Sequence, residues 1–269
     1  MINLKKPNHR MFRPVSGRWA NAGYSSWAYI VDRDYSLNPE HYTRAFSIIQ
    51  QDIFKLFEFI EPADINCDTY SFRIHELFMR ICMEVESNFK AILKENIFNP
   101  TYKNGIKSGH IRQENEWNIN DFKLINKSHL LGQYKMTIPI WKGSRNIRRP
   151  FEAWNESNTN LTWYQNYNSS KHDRVGNFHK ANFDNLIDAY CGLCSILSSQ
   201  FRTKDFMPGQ KNLQVNTDCY YGGGFGLGNF LIVDFPDWNE SELYDFEWSS
   251  IQKNFTGLDR FQKFDYNSI

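Results

Sequence analysis

The chain has 269 residues, 41% of them hydrophobic and 16% aromatic, so it can bury a sizeable core without disulfide or metal staples. Its formal net charge is +1, which excludes a strong long-range pull toward nucleic acid or an anionic membrane and leaves such contacts to a local patch. No run approaches the roughly 18 consecutive apolar residues of a membrane span. The opening residues MINLKKPNHRMF lack the apolar stretch of a secretory signal, and the five cysteines are scattered and odd in number. The expectation is a soluble, cytoplasmic protein without a membrane partner.

Residues 1–37 are aromatic and irregular, with Trp19, Tyr24, Trp27 and Tyr29 among glycines and serines, and read as a packed N-terminal arm. Asn38-Pro39 then opens a helix over 39–60, with the amide as cap and the proline at the first helical position. Phe46, Ile49, Ile53, Leu56, Phe57 and Ile60 share one face, and Glu61-Pro62 ends it. A second helix runs over 68–95, capped by Asp68 or Thr69. It carries the strongest periodic signal in the chain: Ile74, Leu77, Phe78, Ile81, Cys82, Val85, Phe89, Ile92 and Leu93.

Residues 99–158 read as inserted loops, with a short helix near 119–127 and a strand over 134–141 weakened by Pro139. Arg145, Arg148 and Arg149 cluster in this stretch. A third helix spans 160–174 and is broken by Val175-Gly176-Asn177; a fourth, capped by Asn182, spans 183–201 and pairs with it as an antiparallel hairpin. Residues 38–204 thus form a mainly α, antiparallel helical bundle. From 205 to 269 the composition shifts to a C-terminal extension packed on the same domain, with a strand near 230–235 after the glycine run 222–228.

Several features lack the partners that chemistry would need. The glycine run leads into a strand and has no following lysine-serine pair, so it reads as a turn and not as a phosphate cradle. Cys191 and Cys194 have zinc-like spacing without a second pair, and they sit among Leu193 and Ile196. None of the seven histidines forms a local metal-ligand pattern, so no metal or cofactor is expected. Glu76, Arg80 and Glu84 read as a surface ion-pair row. Glu84 and Asn88 border the apolar stripe, where Glu84 either pairs with a cation from a neighbouring helix or orients a site residue.

The stretch YNSSKHDR, residues 167–174, is the candidate site. Asn168 and His172 are four apart and share a helix face, Lys171 flanks it, and Arg174 follows at the helix end. An imidazole exchanges protons near neutral pH, an amide holds a phosphate or 2′-hydroxyl, and the two cations stabilise phosphate charge. Those groups suffice for metal-independent RNA cleavage. A basic helix end complementing the helix dipole accounts for the same residues.

The helix ELFMRICMEVESNFKAIL, followed by a helix pair joined through NSSKH and NLIDAYCGLCSIL, resembles HEPN-domain proteins, helical bundles of toxin and abortive-infection systems. The resemblance spans about residues 68–201 and rests on a short motif of arginine, asparagine, three residues and histidine. Its asparagine falls on Asn168 and its histidine on His172, while Tyr167 stands at the arginine position. It implies an endoribonuclease in phage defence or a toxin–antitoxin setting, acting as a homodimer on RNA, with an antitoxin or trigger protein as partner. His172, Asn168, Lys171 and Arg174 would be catalytic, with Glu84, Tyr167 and Asp173 supporting. With tyrosine at the arginine position, the implied alternative is a silent HEPN-like scaffold that senses a protein or nucleotide.

Overall fold

The computed structural model describes residues 5–16, 34–156, 160–201 and 231–269. The described residues are mainly helical, with one small antiparallel sheet.

Helix α1 spans Pro39–Phe57 and buries Phe46, Ile49, Ile53 and Leu56 on one face. Asn38 precedes it in the left-handed region (φ 47°) and makes no side-chain cap, so the expected amide cap is absent and Pro39 alone marks the start. Helix α2 spans Phe72–Glu95. Its cap is Ser71, whose hydroxyl accepts from the Ile74 N–H at 3.2 Å, and not Asp68 or Thr69. Those two residues follow a single 3-10 turn at Asp64–Asn66 that delays the helix.

The inserted stretch holds more order than its composition suggests. The short helix expected near 119–127 is two pieces, α3 (Ile119–Phe122) and α4 (Ile125–His129). Strands β1 (Lys135–Thr137) and β2 (Ile147–Arg148) follow, and α5 covers Thr162–His172. The break expected at Val175-Gly176-Asn177 falls instead at Asp173, and those three residues lie in the single-turn helix α6 (Arg174–Asn177). Asp173 caps that turn by accepting from the Gly176 N–H at 3.0 Å. Helix α7 spans Phe183–Phe201, with the Asn182 side chain accepting from the Asn185 N–H at 3.0 Å as expected of a cap. Strand β3 (Ile232–Asp234) and helix α8 (Trp248–Asn254) complete the elements. The glycine run 222–228 and Cys219 lie outside the described residues.

Helix α7 is buried at every position except Asp184 and Asp188. A helix apolar all round belongs in the middle of a protein. Its two exceptions pair with arginines of the inserted stretch: Arg148 meets Asp184 at 2.6 Å and Asp188 at 3.0 Å, and Arg145 meets Asp184 at 2.7 Å. Arg149 turns to Glu152 instead. Arg145 and Arg148 therefore serve the α7 surface.

Helices α2 and α7 run in the same direction. Their starts meet at the Tyr70–Asn182 bridge, and near their ends the Gln200 amide donates to Asn88 Oδ1 at 3.0 Å. Helix α5 runs against both, because Tyr164 reaches Glu86 on α2 and Asn166 reaches Asn185 on α7. Helix α1 also opposes α7, with Phe46 stacked on Tyr190 and Phe57 against Phe183. The second and fourth long helices thus form the core, and the first and third flank them.

The sheet has the order β2-β1-β3, with Met136 opposite Arg148 on one side and Val233 on the other. The C-terminal strand is therefore completed by the inserted stretch. Residues 5–16 pair with the C-terminal segment, Asn8 bridging to Gln262 and Val15 to Tyr244, while Trp19, Tyr24, Trp27 and Tyr29 of the expected arm lie outside the described residues. Arg10 is fully buried and holds Glu95 at 2.6 Å and Gln200 at 2.7 Å. No described helix is long and apolar enough to cross a membrane.

Candidate functional site

Helix α5 has little hydrophobic patterning, yet Trp163, Tyr164, Tyr167 and Ser170 recur at three- and one-residue offsets around a single buried face. That face packs on α2 and leaves the last turn, with Lys171 and His172, pointing outward. Between this turn, α6 and the first half of α2 lies an open cleft of about 780 Å³. His75, Met79, Met83 and Glu86 line it from α2; Tyr167, Lys171, His172 and Arg174 line it from the other side.

The structure brings His172, Lys171, Arg174, Asp173 and Tyr167 to one cleft. Asn168 is half-buried one position past Tyr167 and is not among the lining residues. Asp173 spends its carboxylate on the α6 cap. Glu84 is the clearest departure from expectation. It sits near His41 and Arg80, and burial raises its carboxyl pKa against the pull of those two side chains. Arg80 in turn pairs with Asp52 of α1, so the expected row of Glu76, Arg80 and Glu84 is broken up. The acidic residue of α2 that lines the cleft is Glu86, about 200° around the helix from Glu84.

Glu86 accepts a hydrogen bond from the Tyr164 hydroxyl at 2.8 Å. Burial, reinforced by the negative charge of Glu86, pushes the phenol pKa values of Tyr164 and Tyr167 well above the ordinary tyrosine range. Lys171 donates to the Tyr167 hydroxyl at 3.2 Å, and its ammonium lies 5.1 Å from the centre of the Tyr167 ring. Tyr167 thus supports a cation at the cleft mouth; it does not supply one.

His75 was not legible as a site residue. Its ring lies 5.5 Å from Phe178, and its Nε2 is buried without a partner. Burial and then the Arg174 cation hold its pKa below the usual imidazole value, against a backbone hydrogen bond with Ser170. The signal that would have found this face is the spacing of His75, Met79, Met83 and Glu86, which steps by four, four and three along α2. It is hidden by the stronger apolar stripe beside it.

Among the described residues, no group of three or more histidine, cysteine, aspartate or glutamate side chains is placed to hold a metal ion. Cys191 and Cys194 are both buried within α7. No family model, curated protein or solved structure matches this chain.

Proposed function

We propose that the protein is a metal-independent endoribonuclease whose reaction takes place in the cleft between α2 and the α5–α6 corner. The observation that carries this reading is the meeting of an exposed imidazole, His172, with two cations, Lys171 and Arg174, at one open cleft. His172 takes the proton of a 2′-hydroxyl, and the freed oxygen bonds to the adjacent phosphorus. The bond from phosphorus to the 5′ oxygen breaks, and that oxygen takes a proton from water in the open cleft. The products are a 2′,3′-cyclic phosphate and a 5′-hydroxyl. Lys171, steadied by Tyr167, and Arg174 face the charge that builds on the phosphate. Glu86 replaces Glu84 in the supporting role, and Asn168 has no part in the cleft.

The HEPN resemblance supports the same reading and adds a homodimer, a phage-defence or toxin–antitoxin setting, and an antitoxin or trigger protein as further proposals. A second reading, a catalytically silent HEPN-like binding module, is favoured by one observation: Tyr167, at the motif's arginine position, is 1% exposed and cannot reach a substrate as a cation would.

The test is incubation of the purified protein with total transfer RNA in EDTA, beside His172→Ala. Cleavage by the wild type alone, leaving cyclic phosphate ends, supports the nuclease. Equal cleavage by both proteins overturns it, and cleavage by neither favours the binding module.

A further inference from the structure

Next to the cleft lies an apolar surface that the proposed chemistry does not use. Phe72, the first residue of α2, is 70% exposed, and Tyr70 is 52% exposed. Single exposed apolar side chains are ordinary, but these two share a neighbour. The Phe72 ring lies 4.8 Å from Phe178, and the Tyr70 ring meets Phe178 edge-on at 5.8 Å. Such contacts hold aromatic rings in fixed orientations, and Phe72 keeps most of its side chain open to solvent. Val175, which lines the neighbouring cleft, is 90% exposed.

Arg174 connects this patch to the cleft. It lines the cleft, and its guanidinium lies 6.0 Å from the centre of the Phe72 ring. Phe72 is one helical turn before His75 on the same side of α2, so the platform and the cleft are contiguous. A flat open ring beside an arginine matches one occupant well: an unpaired nucleobase, stacked on the ring, with its own phosphate held by the cation. A base still paired within a helix offers no open face to Phe72, because its neighbours cover both sides.

We propose that Phe72, with Arg174 beside it, forms a base-stacking subsite that makes the cleft take single-stranded RNA with an unpaired base next to the reacting phosphate. This rests on the nuclease reading for the identity of the reacting phosphate, but the stacking itself is a binding property and can be measured apart from cleavage.

The experiment measures binding of a short single-stranded oligoribonucleotide carrying 2′-O-methyl groups, which removes the attacking hydroxyl and prevents cleavage. Wild type, Phe72→Ala, Phe72→Trp and His172→Ala are compared, each also with a duplex of the same sequence. Stacking on an aromatic ring predicts that Phe72→Ala weakens single-strand binding by about tenfold, with Phe72→Trp retaining or improving it. Duplex binding should not respond to Phe72, and replacing one base by an abasic position should remove the sensitivity to Phe72→Ala. Equal binding by wild type and Phe72→Ala overturns the subsite, even if RNA is cleaved through His172. Failure of the wild type to bind the single strand also overturns it and leaves the patch to a protein partner. Phe72-dependent binding of the methylated strand, with the unmethylated strand left uncleaved by the wild type, would sustain the subsite and sink the nuclease reading.

Discussion

Two faces of helix α2 show how one element serves two purposes. The core face carries Ile74, Phe78, Ile81, Val85, Phe89 and Ile92, each fully buried. Its contacts are close-packed, as with Phe89 against Phe122, Phe151 and Trp154. The face toward α5 carries His75, Met79, Met83 and Glu86, and its polar groups are only partly satisfied, as the bare Nε2 of His75 shows. Met83 is 62% exposed there. The first face minimises free energy. The second leaves groups open at a cleft that a packed interface would have closed. Sites of chemistry are where sequences depart from rules of packing, because reactive groups must stay available.

The sharpest way to test the first face is Phe89→Ala, which leaves a hole among three aromatic rings. It should lower stability by about 3–5 kcal/mol, read as a shift in the urea midpoint. A shift under about 1 kcal/mol would mean that this face is not the core.

Buried and exposed histidines extend the comparison. His129 is fully buried, with Nδ1 2.7 Å from the Ser128 hydroxyl and Nε2 2.8 Å from the Arg10 carbonyl oxygen. Burial holds its pKa down to about 4. In the unfolded chain the same imidazole titrates near the ordinary value of about 6.5. A depressed histidine pKa means that the folded state binds the proton less readily. Its contribution is therefore complete above about pH 6.5 and is lost as pH falls toward about 4, amounting to about 3 kcal/mol in all. Denaturation curves across this window should show that decline, and His129→Gln should flatten it.

At the cleft, His172→Ala should reduce RNA cleavage by about a hundredfold or more, the range for loss of a proton-transfer group. Because the side chain is exposed, the melting curve should stay within about 0.5 kcal/mol of wild type. Loss of both activity and stability would make His172 a structural helix end. Tyr167→Phe removes the hydroxyl that accepts from Lys171 and should cost about 1 kcal/mol, seen as a modest loss of cleavage with the fold intact. The smallest effect is expected for Glu84→Gln, which should leave cleavage unchanged and shift stability by less than about 0.5 kcal/mol. Glu86→Gln, by contrast, should impair cleavage, and equal behaviour of the two would erase the distinction between the faces.

Helical period was enough to locate the large elements. The run of apolar residues three and four apart in α2 and α7 can only be buried on a helix, so both were legible, and the span 183–201 was read to the residue. The start of α2 was misplaced because Asp68, Thr69 and Ser71 are all competent caps, and the choice depends on the preceding turn at Asp64–Asn66. In the inserted stretch the sequence shows the short helix near 119–127 and the strand within 134–141, but β2 is too short to show a period. Their order comes from partners distant in sequence, such as β3 for β1 and Asp184 for Arg148.

The sequence by itself determined that four long helices exist, which faces α1 and α2 bury, and that the polar segment 167–174 closes the third. Tertiary structure alone decided that α2 and α7 run side by side in one direction, that Glu86 and not Glu84 faces the cleft, and that His75 joins it. The reason is physical. A periodic pattern fixes the angle of a residue around its own helix, whereas the neighbour that this angle meets depends on how the helices are placed against one another.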